Sequence, residues 1–97
     1  MAGGLGNVQD VTADIEAFCK EVKSTVEKHA NKAYDVYTPK AFREQVVAGS
    51  NYFVKVHVGG EDYIHLRLFQ DLPCNGGKRE LHSLATHKTA ADEILYF

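Results

Sequence analysis

The chain has 97 residues, 44% of them hydrophobic and 25% charged, with eleven Lys and Arg against thirteen Asp and Glu for a formal net charge of −2. That length suits a single domain, residues 1–97, with one core, and the charge balance offers no electrostatic ground for a nucleic-acid or anionic-membrane partner. No apolar run reaches the roughly 20 residues that span a bilayer, and Cys19 and Cys74 fit no metal or redox spacing, which suits free thiols in a reducing, cytoplasmic setting.

The first eight residues carry Gly3, Gly4 and Gly6, so they are expected to be extended or mobile rather than helical. They lack the basic and apolar regions of a secretory leader. With Ala2 next in line, Met1 is expected to be removed. Residues 12–30 have the clearest period: Ile15, Phe18, Cys19, Val22, Val26 and Ala30 form one apolar stripe at helical spacing. Thr12 fits the N-cap, and Asp14 and Glu16 occupy the first turn. Lys28, His29 and Lys32 lie toward the other end, Glu16 and Lys20 form an i,i+4 pair, and Asn31 is a natural stop.

A basic, polar lead-in, Lys40-Ala41-Phe42-Arg43-Glu44, precedes Gln45-Val46-Val47-Ala48-Gly49, with Ser50-Asn51 behind it. Gly and Asn tolerate the positive φ of a hairpin tip. Turn tips are usually polar, and adjacent residues of a strand face opposite ways. At least one valine must therefore point away from the buried face, unless the pair is core at a β-bulge.

Beyond Pro39 the period changes to two. Val54, Val56 and Val58 share a face, as do Ile64, Leu66 and Leu68. A two-residue turn at Gly59-Gly60 would set Val58 opposite Glu61. A longer loop around Gly60-Glu61-Asp62 instead pairs Val58 with Ile64, Val56 with Leu66 and Val54 with Leu68, and the apolar pattern favours it. In that register His57 and His65 oppose each other as two solvated histidines on the outer face, with Lys55 and Arg67 the next pair. Residues 71–80 form a second turn, 81–87 a third strand and 94–97 a short terminal strand. The prediction is α+β: one long helix, then four sequential antiparallel strands with one apolar face, an antiparallel β-sheet wrapped around the helix.

Nothing points to an enzyme, a metal or a cofactor. A bare His pair falls short of the three or four ligands zinc takes. Cys74 has no orienting third group beside it and reads as a surface thiol. Gly4-Leu5-Gly6 follows no strand and leads to no Gly-Lys-Ser/Thr, so it is no phosphate loop.

Gln45-Val46-Val47-Ala48-Gly49, with Ser50-Asn51-Tyr52-Phe53-Val54-Lys55-Val56-His57-Val58-Gly59 after it, resembles the signature of the cystatin superfamily. The match is to its intracellular, disulfide-free branch, the stefins. The likeness extends to Gly3-Gly4, to the helix, to His65-Leu66-Arg67-Leu68-Phe69-Gln70-Asp71-Leu72-Pro73 and to Asp92-Glu93-Ile94-Leu95-Tyr96-Phe97. It implies a reversible, tight-binding competitive inhibitor of papain-like cysteine proteases such as the cathepsins, without covalent chemistry. By position the wedge comprises Gly3 and Gly4, then Gln45, Val46, Val47, Ala48 and Gly49, then Leu72 and Pro73. Cys74 would be a free thiol at its rim. The alternative is a non-inhibitory protein of the same fold acting as a binding or scaffold module.

The residue chemistry suits the wedge. Val46 and Val47 are rotamer-poor and lose little entropy on docking. Gly3 and Gly49 permit close backbone approach, and Pro73 stiffens the tip that carries Leu72. Leu72-Pro73 as a plain turn and the glycine-rich terminus as an uninvolved tail remain open. Two features depart from the family: only Met1 and Ala2 precede Gly3, which implies a modest N-terminal contribution, and Ser50 stands where Thr is familiar. The resemblance also implies an active monomer and an inactive domain-swapped dimer that opens residues 42–58.

Overall fold

In the computed structural model, which describes residues 4–97, helix α1 (Ala13–Ala30) begins where Thr12 can cap it. Thr12 Oγ1 accepts from the Ile15 amide at 3.2 Å, which satisfies one of the helix's free donors. The far end stops at Asn31, whose φ of 55° turns the chain out of the helix. Lys32 N–H donates to Glu27 O at 3.1 Å and Asn31 N–H to Lys28 O at 3.2 Å, the paired bonds of a Schellman stop. Ile15, Phe18, Cys19, Val22 and Val26 are all buried along one side. Glu16 and Lys20 approach to 3.6 Å on the solvent side. No helix among the described residues is long and apolar enough to cross a membrane.

Five strands follow the chain order in one antiparallel sheet: β1 (Gln9–Asp10), β2 (Thr38–Val47), β3 (Gly49–His57), β4 (Tyr63–Gln70) and β5 (Arg79–Lys88). The helix stripe meets Phe42, Val54, Val56, Ile64, Leu66 and Leu68 from the sheet, with Tyr34 closing the side. The α+β architecture is therefore as the sequence predicts. The lead-in to the first hairpin is itself the long strand β2. It carries Pro39 beside an unpaired Lys40, because Pro39 pairs with Val56 while Ala41 pairs with Lys55. A proline fits there, since a bulge relieves the ladder of its missing donor.

The β3–β4 hairpin corrects the expected register by two residues. Val56 pairs with Ile64, Val54 with Leu66 and Tyr52 with Leu68. Gly59 and Gly60, at φ 114° and 53°, close a tighter loop than expected, with Val58 N–H on Asp62 O at 3.0 Å. A slip of two conserves the faces, so the valine and leucine sets still meet the helix.

That register also separates the two histidines: His57 faces Tyr63, and His65 faces Lys55. Nor is the pair solvated, since His65 is buried at 2% exposure. Residues 94–97 form no strand. The chain from residue 90 onward crosses the outer face, where side chains rather than a strand edge hold its carbonyls. Lys55 Nζ donates to Ala90 O at 2.7 Å and Asp92 O at 2.6 Å, Arg43 Nη1 to Ile94 O at 2.6 Å, and Arg67 Nη1 to Phe97 O at 3.0 Å. Phe53 packs on Tyr96 and Phe97 with ring centroids 5.6 and 5.8 Å away.

Candidate functional site

The β2–β3 turn is one residue long. Val47 pairs with Gly49, and Ala48 alone reverses the chain. Val46 is 71% exposed, Ala48 is exposed and Val47 half-buried, so the apolar tip stands out from the sheet. Its neck is fixed by polar cross-strand pairs. Asn51 Nδ2 donates to Gln45 Oε1 at 3.0 Å, with both residues buried, and Ser50 Oγ donates to Glu44 Oε2 at 3.1 Å. Gly49 has φ 114°, and a Cβ there would lie 2.5 Å from Gln70 O and 3.0 Å from the Phe69 ring. The close approach that demands glycine is thus internal, against β4.

The β4–β5 turn, residues 71–78, lies next to it. Leu72 is 38% exposed and leads into a 3₁₀ turn, Pro73–Asn75, closed by Gly76 at φ 101°. Asp71 organises this tip. Its Oδ1 accepts from Leu72 N–H at 2.8 Å and Asn75 Nδ2 at 3.3 Å, while its own N–H donates to Lys78 O at 2.8 Å. Asp71 was not among the residues singled out from sequence, although an Asp ahead of Leu-Pro with Asn four positions later is a local turn signal. A shallow groove runs between the tips, with Val46, Val47, Gly49 and Ser50 on one wall and Gln70, Asp71, Leu72 and Pro73 on the other.

The N-terminal segment approaches from the opposite side. Gly6 N–H donates to Glu44 O at 2.8 Å, and Arg43 Nε and Nη2 hold Gly6 O and Leu5 O at 2.7 and 3.3 Å. Residues 5 and 6 are therefore tied alongside β2, and β1 pairs with β2 antiparallel, so the chain runs from the tip end of the sheet toward Asp10. Gly4 is exposed, and a Cβ on it would meet nothing within 4 Å. Gly3, like Met1 and Ala2, lies outside the described residues. Among the described residues, the N-terminal segment, the first tip and the second tip follow in that order at one end of the sheet.

Cys74 is exposed on the second tip, its Sγ 3.9 Å from Asn75 Oδ1. Cys19 is buried in the core, where burial first and the Glu16 carboxylate second push its thiol up to about 12. A thiol so placed is not a nucleophile. Among the described residues no group of three or more His, Cys, Asp or Glu side chains could hold a metal ion.

A family model described as Cystatin domain matches residues 3–91. The whole chain aligns with cystatin-B of Oplegnathus fasciatus at 45% identity, covering 97% of that protein. It aligns with human cystatin-B at 42%, covering 100% of this chain and 99% of the relative. Stefin-C of Bos taurus is 43% identical over 95 residues, 98% of this chain and 94% of the relative.

Proposed function

This chain belongs to the cystatin family, in its stefin branch, and from that premise we propose that its two apolar tips and N-terminal segment dock into the active-site cleft of a papain-like cysteine protease. It is an inhibitor of cysteine proteases and not an enzyme. Val46 and Val47 form the middle of the contact, with Ala48 at the turn between the strands and Gln45 and Gly49 at its base. Leu72 and Pro73 form one flank, with Cys74 at its rim, and Gly3 and Gly4 form the other. The observation that carries this reading is the side-by-side exposure of Val46 and Leu72 at 71% and 38%. Apolar side chains presented on pinned turns lose little freedom when they dock. A standard protease–inhibitor contact buries about 800 Å² per partner.

Cathepsins are the proposed targets, the monomer is the active form, and residues 1–97 act as one domain. We also assign a cytoplasmic setting, for which the two free cysteines speak.

Papain titration tests the reading. Stoichiometric protein should abolish activity reversibly, and Val47→Asp should weaken inhibition by several kcal/mol, because a carboxylate would be desolvated in an apolar cleft. The melting temperature should barely change, since the side chain is half-exposed in the free protein. Full inhibition by Val47→Asp would exclude the tip as the contact. A loss of stability matching the loss of affinity would assign Val47 to the core.

A further inference from the structure

Phe69 lies on the outer face of β4, opposite Asn51 on one side and Glu80 on the other. Its ring edge is the surface against which the first tip rests: Cε1 and Cζ each stand 3.0 Å from the position a Cβ would take on Gly49. The ring is itself held from behind. Leu68 pairs with Leu81 but Arg67 with Ser83, so His82 is the extra residue of a β-bulge in β5. Bulges re-aim side chains, and here His82 stacks on Phe69 with centroids 4.9 Å apart and planes 18° from parallel. His82 Nε2 lies 3.0 Å from Glu80 Oε1, and Lys78 Nζ lies 3.4 Å from Glu80 Oε2. The Glu80 carboxyl is held below its usual range by the His82 bond first and by Lys78 next. Lys78, Glu80 and His82 thus form a chain running from the base of the second tip to the ring beneath the first.

We propose that Phe69, clamped by His82, is a positioning residue for inhibition: it sets the height and spacing of the first tip relative to the second without itself entering the protease cleft. The proposal rests on the tips being the contact surface. An apolar wedge whose two edges must fill separate subsites gains affinity from a fixed spacing between them, and that gain appears mainly as slow dissociation. A Leu at position 69 would keep an apolar side chain there while losing both the flat edge under Gly49 and the stacking face for His82.

The test uses papain and the full chain. Dissociation rates are measured for the wild type, Phe69→Leu, the truncated-tip protein V46A/V47A, and the three changes together, with melting temperatures alongside. The expected result is dissociation about tenfold faster for Phe69→Leu, shrinking to within about twofold in the V46A/V47A background, because a residue acting through the tip has nothing to position once the tip is removed. Unchanged dissociation of Phe69→Leu would overturn the proposal, as would an equal loss in both backgrounds, which would mark general loosening of the sheet. Should Phe69→Leu fail to fold, His82→Ala carries the same comparison, with about a threefold effect expected and the same overturning outcomes. Retained inhibition by Val47→Asp would instead remove the contact reading on which all of this depends, so the two failures are distinguishable.

Discussion

Of the five histidines, only His65 is buried. Its Nε2 has no hydrogen-bond partner among the described residues. Burial first, then the cations Lys55 and Lys88, pull its pKa down from 6.5 to about 4, and Asp92 opposes them only in part. The unfolded chain therefore takes up a proton near pH 6.5 that the folded chain refuses until about pH 4. Stability from this site is intact above pH 6.5 and falls progressively toward pH 4, by up to about 3 kcal/mol across the window. Urea midpoints measured from pH 7 to pH 4 should decline, and His65→Leu should flatten that slope. An equally steep decline in the variant would place the sensitivity elsewhere. Alternation alone puts His65 on the outer face. What the sequence does not show is the cover over it, because residues 89–97 have no period and are held by their backbone carbonyls, groups that every residue carries.

At the level of elements, Arg43 does what its neighbours in the sequence do not suggest. In a basic, polar lead-in it reads as one more solvated charge, yet its guanidinium binds the carbonyls of Leu5, Gly6 and Ile94. One side chain on β2 thus fastens both ends of the chain. Hydrogen bonds from a charged donor contribute about 1.5–3 kcal/mol each at best, less where water competes. Arg43→Leu should lower the melting temperature on the order of 10 °C, at about 4–8 °C per kcal/mol for a domain of this size. The Gly6 amide, now bonded to Glu44 O, should exchange faster, and inhibition should weaken through a loosened N-terminal flank. Unchanged exchange at Gly6 would show that the β2 ladder alone holds that segment. The helix contrasts with this: its stripe, Thr12 cap and Asn31 stop are all local chemistry, and all are legible in the sequence. Contacts between distant segments, such as Arg43 with Ile94 or Phe69 with Gly49, leave no local pattern. The two-residue error in the β3–β4 register has a related cause, since alternation fixes parity while the loop glycines fix the count.

For the whole molecule, the domain-swapped dimer that the family resemblance implies would take the first tip as its hinge. If the chain straightened at residues 47–49, β2 and β3 would become one strand, and α1 with β1 and β2 could pack on a second copy. The ladder and the helix core would re-form unchanged, so the free-energy difference between states is concentrated in the hinge and in the cost of association. Gly49 sits at φ 114° with Gln70 O in the place of any Cβ, a geometry that an L-residue tolerates poorly but that an extended strand does not demand. Gly49→Ala should therefore penalise the closed monomer, raise the swapped-dimer fraction in size-exclusion chromatography, and leave the dimer's helix content unchanged. Such a dimer would have no projecting Val46-Val47 tip, so its inhibition of papain per protomer should be far weaker than the monomer's. Exchange should be slow, because α1 must leave a core that includes Phe18, Cys19 and Val26 at zero exposure. A dimer that inhibits papain as well per protomer as the monomer does would show that the tip survives association, and the hinge would then have to lie elsewhere in the chain.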